Sequence, residues 1–423
     1  MIAIVGGGIT GLVLGWELAK RGVEYVVLEA TERAGGVIRS ATVDGRVLDW
    51  GPQRVRLTRA MDALIAELSL DADVLRAPSG LGLFVYRAGR LRRVPFSAAA
   101  FIMSDIVGPA AKLRLVAEPF TRAADPGERV SAFFTRKVGA ELYDGLVAPL
   151  YGGLYGSDPA EMEVQLSVGH MLREFRVGRS LVWALLKSGG AIMPPAAASF
   201  RNGMQALPDA LAARQQGHVK FGAAVSRIEA ARAGWRVITA GSAIDARAVV
   251  LTVPSSISAQ LLGKVAPHTT AAIAQLRYNP LAVVHLDADS DPACMGFQVA
   301  LTEASLALRG VTFNESLFGR RRLHTAYLGG SRHPGIVELP DDAIAARAIA
   351  EFRQCTGRDA RALAVARESM PAWDLTWRSI TGLSLPPGLH VAANWHSRPG
   401  LPGRLADASR MARILTGEVP ADG

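Results

Sequence analysis

The chain is poor in the residues that carry thiol and metal chemistry. Its two cysteines, Cys294 and Cys355, lie far apart and show no C-x-x-C spacing, which points to a reducing compartment and to two buried apolar side chains. The eight histidines never fall in H-x-x-x-H or H-E-x-x-H patterns, so no metal site is expected. No basic segment followed by an apolar one opens the sequence, and no signal peptide is expected. Long uncharged runs are also missing. Only Ser379 to Ser397 approaches the roughly twenty residues that a membrane span needs, and Pro386-Pro387, His390, Asn394 and His396 rule that window out. There are no internal repeats and no low-complexity segments. The formal net charge is +9 and the pI near 9.9, which suits an anionic membrane surface, acidic ligands or a generally basic soluble surface. Nucleic acid is not an expected partner, because the basic residues are scattered, with Arg90 to Arg93 and Arg320 to Arg322 the tightest runs, and no nucleic-acid motif accompanies them.

What is present is globular. Of the 423 residues, 49% are hydrophobic and 20% charged, and the length suits two or three domains. The first fifty residues organise the rest. Ile2 to Val5 reads as a strand and runs into Gly6-Gly-Gly-Ile-Thr-Gly11. An apolar-striped helix follows to Lys20, and a second apolar run, Tyr25 to Leu28, ends on Glu29. Gly6, Gly8 and Gly11 match G-x-G-x-x-G in its strand–turn–helix setting. The first allows a tight turn, the second lets the backbone approach a pyrophosphate, and the third lets helix and strand pack closely. The unpaired amides at the helix N-terminus favour the anion, and Glu29 stands where a carboxylate takes a ribose hydroxyl pair.

Past Pro52, Met61 to Leu70 has helical spacing, and Leu83 to Tyr86 with Leu91 to Val94 reads as a hairpin. From Pro95 to about Phe200 the chain becomes helical. Ser97 to Leu115 is too interrupted to span a bilayer; it suits lying on one or forming a helical layer over a ligand cavity. Strands are expected at Val219 to Phe221, Ala224 to Ile228, Trp235 to Thr239 and Ala248 to Pro254, then in a second strand-rich section from Ala282 to Ser331. Asp341 to Cys355 reads as an amphipathic helix. The tail, Leu389 to Ala393 and Arg404 to Leu415, reads as a closing strand and helix.

A second paired-glycine turn, Arg33-Ala-Gly-Gly-Val-Ile-Arg-Ser40, follows Glu29 and resembles the Glu-x-x-x-Arg-x-Gly-Gly signature of the flavin amine-oxidase superfamily; the choice of FAD over NAD rests on that resemblance. Val130 to Gly139 and Leu146-Val-Ala-Pro-Leu-Tyr-Gly-Gly-Leu-Tyr-Gly-Ser-Asp-Pro159 are similar to the protoporphyrinogen and coproporphyrinogen oxidase family. The landmarks Gly35-Gly36, Gly51-Pro52, Leu207-Pro208, Val253-Pro254 and Leu328-Gly-Gly-Ser331 agree in order. The resemblance implies an α/β fold: a discontinuous Rossmann-type FAD-binding domain (1–80, 200–265 and 380–423), an inserted helical domain (81–199) facing the membrane or the substrate cavity, and a strand-rich substrate domain (266–379).

The same resemblance implies the activity. The family removes hydrogens from a porphyrinogen, protoporphyrinogen IX or coproporphyrinogen III, to give the porphyrin, with FAD taking the electrons and oxygen receiving them as hydrogen peroxide. By position, the family's FAD contacts fall on Gly6, Gly7, Gly8, Ile9, Thr10, Gly11, Glu29, Ala30, Gly36, Val37, Gly51, Pro52, Gln53, Arg54, Val225, Pro399, Gly400 and Leu401. Gly153 matches the catalytic-site glycine that lies against the substrate ring; a helix C-cap is the plainer reading of it. Arg54, Arg56 and Arg176 are candidate partners for the propionates. The resemblance also implies a cytoplasmic protein on the inner face of the cell membrane, contact with neighbouring haem-synthesis enzymes, and a homodimer. Three departures stand at the flavin end: Ala393 for Gly, Ala406-Asp-Ala408 for Glu-Ser-Gly, and Thr376-Trp377 for Gly-His. They leave open another amine-oxidase-like or desaturase-like activity, or an inactive FAD-binding homologue that carries porphyrin or serves as a partner protein.

Overall fold

The computed structural model describes residues 1–174, 177, 179–187, 196–291, 293–397 and 400–419. The chain divides into two compact units, residues 1–76, 196–276 and 379–423, and residues 77–195 and 277–378. The helical stretch 81–199 and the strand-rich stretch 266–379 thus fall mostly within one unit.

The first unit is built on a five-stranded parallel sheet, ordered Val219–Lys220, Tyr25–Leu28, Ile2–Val5, Ala248–Leu251, Leu389–Val391. The register places Ile2 opposite both Tyr25 and Ala248. The two central strands are buried at every position, as strands covered on both faces must be, which is why they read as unbroken apolar runs rather than alternating ones. The first helix, Ile9–Lys20, buries Leu12, Val13, Leu14 and Leu18, and the closing helix, Leu401–Leu415, buries Leu405, Ala408, Met411 and Ala412; both pack into one apolar core. Val219–Lys220 joins this sheet rather than the antiparallel meander, which consists of Val225–Ala231, Gly234–Thr239 and Ala243–Ala246.

The second unit carries a seven-stranded sheet, ordered Ala360–Pro371, Tyr278–Ala288, Leu323–Gly329, Leu308–Phe313, Cys294–Val299, Gly82–Arg87, Arg90–Arg93. The expected hairpin forms, and its first strand pairs in parallel with Cys294–Val299, Phe84 opposite Phe297. That pairing joins the two stretches into one body. The helix Asp341–Thr356 lays Ile344, Ala348 and Phe352 on one sheet face. Short helices between Ala98 and Lys187 form the remaining layer of the unit. Its polar centre is an ion pair between Lys137 and Glu118 at 3.2 Å, both sealed from solvent.

Candidate functional site

In the first unit the two glycine turns stack on one another. Gly6 has φ +109°, closed to most side chains, and a Cβ there would meet Thr252 Oγ1 and Val253 Cγ1 at 2.8 Å. Thr252 Oγ1 donates to the carbonyls of Val5 and Gly6 at 2.9 and 3.0 Å and locks the turn. A Cβ on Gly11 would run into the Gly6 carbonyl oxygen, so the third glycine sets the helix–strand spacing. Gly8 is the N-cap of the first helix, without a side-chain cap, and the first turn holds no acid. A Cβ at Gly8 would meet nothing within 4 Å. Ile9 and Thr10 are buried at the helix start. Gly35 donates its amide to Gly7 O at 2.8 Å, and Gly36, φ +59°, stands with its Cβ position 3.3 Å from Gly8 Cα. Arg33 clamps this second turn, donating to the carbonyls of Ala34, Gly36 and Ile38 at 3.2, 2.6 and 2.9 Å.

Glu29 ends its strand at the same place. Its Oε2 accepts from the Gly7 amide at 2.7 Å, and its Oε1 accepts from the amide and hydroxyl of Thr31 at 2.9 and 2.8 Å. A carboxylate offers about four acceptor sites, so Oε2 keeps one for a ribose hydroxyl. Ala30, Gly36 and Val37 are exposed beside it. Val225 begins the meander next to the end of the Glu29 strand, where the Ala223 amide donates to Glu29 O at 2.8 Å. An uncapped helix start, an open space over Gly8 and an anchored acid with spare acceptor capacity fit a dinucleotide.

Gly51, Pro52, Gln53 and Arg54 follow the hairpin Ser40–Val43/Arg46–Asp49. A Cβ on Gly51 would strike the Val37 carbonyl oxygen, and Gln53 turns inward to donate to the carbonyls of Asp49 and Gly51. Arg54 is half-buried and Arg56 exposed; Arg176 and Pro399 lie outside the described residues. Gly400 caps the closing helix with no side-chain cap and no acid in the first turn, a second helix start left open, and Leu401 packs beneath it.

The departures at the flavin end have a structural account. Ala393 is fully buried, and its carbonyl accepts from Arg404 Nη1. Arg404 Nη2 donates to Ser397 Oγ at 2.6 Å, and Ser397 Oγ donates to Asp407 at 2.6 Å. Two altered positions, Ala393 and Asp407, are thus tied through one buried arginine. Burial pushes the Arg404 guanidinium and the His396 imidazole below their ordinary values, with Asp407 opposing both shifts. In the second unit, Trp377 stacks on Trp373 with centroids 5.2 Å apart and planes at 27°.

Gly153 lies in the helix Ala148–Tyr155 and is not its cap: Gly156, φ +64°, takes that place. What occupies the side of Gly153 is the Gln298 carboxamide, which a Cβ would strike. Sequence reasoning did not single out Gln298, Arg33, Thr252 or Asp49 as individual site residues. Asp49 is fully buried and its Oδ1 accepts from Ser40 Oγ at 2.5 Å and the Met204 amide at 2.8 Å. A lone acid inside the apolar run Val47-Leu-Asp-Trp50 was the available signal for it. Among the described residues no cluster of three or more His, Cys, Asp or Glu suits a metal, and no helix is long and apolar enough to cross a membrane.

The family model for flavin containing amine oxidoreductases matches residues 9–396. The chain belongs to that family. It is an FAD-dependent oxidoreductase with an amine-oxidase-like fold. It is 26% identical over 404 residues to protoporphyrinogen oxidase 1, chloroplastic, of Spinacia oleracea, covering 83% of this chain and 70% of the relative. It is 27% identical over 451 residues to coproporphyrinogen III oxidase of Mycobacterium leprae, covering 98% of both. Among solved structures, a protein of Exiguobacterium sp. 255-15 superposes with a TM-score of 0.80 at 19% identity, covering 99% of both chains.

Proposed function

We propose that the protein oxidises a porphyrinogen, protoporphyrinogen IX or coproporphyrinogen III, to the porphyrin, with oxygen as acceptor and hydrogen peroxide as product. The observation that carries this reading is the reach of the likeness: the match to the Mycobacterium leprae coproporphyrinogen III oxidase runs over 98% of both chains, through the second unit as well as the nucleotide-binding one. FAD, when bound, supplies the acceptor for hydride from a macrocycle methylene. The chain's own part is placement. Gly6, Gly7, Gly8, Ile9, Thr10 and Gly11 would hold the pyrophosphate on the first helix, Glu29 and Val225 the adenosine end, and Gly36, Val37, Gly51 to Arg54, Gly400 and Leu401 the flavin end. No side-chain base is assigned, since aromatisation drives the reaction.

The protein works on a membrane surface in this reading. Ile102, Met103, Leu113, Val116 and Phe120 are all exposed within one short stretch, Met103 at 88% and Phe120 at 81%. Lys112, whose ammonium donates to the Ile102 and Ser104 carbonyls, and Arg114 stand in the same stretch, and a basic, apolar-studded segment suits an anionic lipid surface. The test of the function is turnover in air with each porphyrinogen, read as porphyrin fluorescence and peroxide. Porphyrin forming from one of them above the uncatalysed rate is the expected result; no acceleration with either overturns the proposal.

A further inference from the structure

Three elements of the second unit meet at one side chain. Gly153 comes from the helix Ala148–Tyr155, Gln298 from the strand Cys294–Val299 and Gly310 from the strand Leu308–Phe313. Neither glycine has a positive φ, although a Cβ on Gly310 would also come 2.7 Å from the Phe297 carbonyl oxygen, so strand pairing by itself already favours glycine there. A glycine inside a helix costs about 1 kcal/mol relative to alanine, and one inside a strand leaves nothing to pack. What the two share is a neighbour. A Cβ on Gly153 would strike Gln298 Oε1, and one on Gly310 would come 2.7 Å from the same atom. Gly153, whose Cβ would meet Gln298 atoms alone, clears a slot in which that carboxamide lies, and Gly310 borders it. That carboxamide is half-buried and makes no hydrogen bond among the described residues, which leaves its oxygen to water or to a ligand donor. Gly153 itself is exposed, so the atom standing on its open side is a carbonyl oxygen with no donor among the described residues.

We propose that Gln298 is a substrate-positioning residue, its Oε1 accepting a hydrogen bond from a pyrrole N–H of the macrocycle, with Gly153 serving to leave that oxygen its place. This rests on the porphyrinogen reading above. Each pyrrole ring of a porphyrinogen carries an N–H donor, and a carboxamide oxygen is an acceptor for it. Gly153 then acts through Gln298 rather than only by direct contact with the ring.

The experiment compares FAD-loaded wild type, Gln298→Leu, Gln298→Met and Gln298→Glu, each checked by visible flavin absorption. Binding is read anaerobically, as the substrate dependence of flavin reduction by protoporphyrinogen IX and coproporphyrinogen III, and turnover with the same porphyrinogens in air. Gln298→Leu and Gln298→Met, which remove the acceptor, raise Kd and KM about tenfold with a smaller change in kcat, as expected for one lost hydrogen bond. Gln298→Glu, which keeps an acceptor oxygen, stays within about threefold of wild type by the same measure. Gly153→Ala weakens binding in the wild type and not in a Gln298→Ala background, because both changes act on one oxygen. Flavin-replete Leu or Met variants that bind and turn over like wild type overturn the proposal, as does a Glu variant that falls as far as Leu. A wild-type flavin that no porphyrinogen reduces overturns the functional reading, and Gln298's role with it; that result is read on the unmutated protein and so is distinct from a failure of the Gln298 assignment alone.

Discussion

Single residues decide whether the nucleotide site exists. Gly11 is set against the Gly6 carbonyl, a backbone atom that has nowhere to go. Gly11→Val therefore forces the first helix off the first strand and removes the proposed seat of the pyrophosphate. The expected outcome is a folded protein purified without its yellow colour, with no rise in melting temperature on adding FAD; a variant that retains flavin at wild-type occupancy contradicts the site. This part was legible in the sequence because everything that makes it is local. Strand, turn, helix and acid lie within the first thirty residues, and spacing alone carries the geometry. Gln298 was not legible. Its meaning depends on Gly153 and Gly310, brought beside it by the packing of a helix on a strand and the pairing of two strands, and no local pattern reports either.

At the scale of elements, the helical layer is held by a buried charge. Burial alone would raise the Glu118 carboxyl. Hydrogen bonds from Ser180 and from the Leu181 and Val182 amides, with the Lys137 ammonium, outweigh it and hold the group below its ordinary value. Glu118 lies in Leu115–Phe120, Lys137 in Val130–Val138, and the accepted amides at the start of Leu181–Lys187, so one carboxylate ties three segments. Glu118→Gln leaves the Lys137 ammonium buried without its counter-charge, a change that costs about 3 kcal/mol or more. Denaturant unfolding should show that loss, with flavin content unchanged because the pair lies outside the nucleotide-binding unit. An unaltered midpoint contradicts the account. The sequence foretold helices here but not what anchors them, since an acid and a lysine far apart in sequence look like any two surface charges. The edge strand Ala360–Pro371 was missed for a related reason: half-exposed and rich in alanine and arginine, it lacks both the alternation and the β-branched run that mark a strand. The hairpin at 82–93 was read correctly as a hairpin, while its parallel partner some two hundred residues on was invisible to any local pattern.

For the whole molecule, two claims remain, where it works and what it does. The exposed apolar side chains between Ile102 and Phe120 predict co-sedimentation with anionic phosphatidylglycerol vesicles that weakens with salt. Replacing Met103 and Phe120 together by Asp should lower that binding about tenfold or more, given the free energy of burying large apolar side chains, while leaving turnover in detergent intact. Wild type that stays in the supernatant contradicts the membrane reading without touching the chemistry. The chemistry is tested most directly without oxygen. Purified protein carrying its flavin is placed under argon, and protoporphyrinogen IX and coproporphyrinogen III are added separately while the visible spectrum is followed. The account predicts that one of them bleaches the flavin within the time of mixing to minutes, and that porphyrin fluorescence and the flavin band both appear when air is admitted. A flavin band that neither substrate changes would contradict it, and would leave an FAD-dependent oxidoreductase of the amine oxidase family acting on something else.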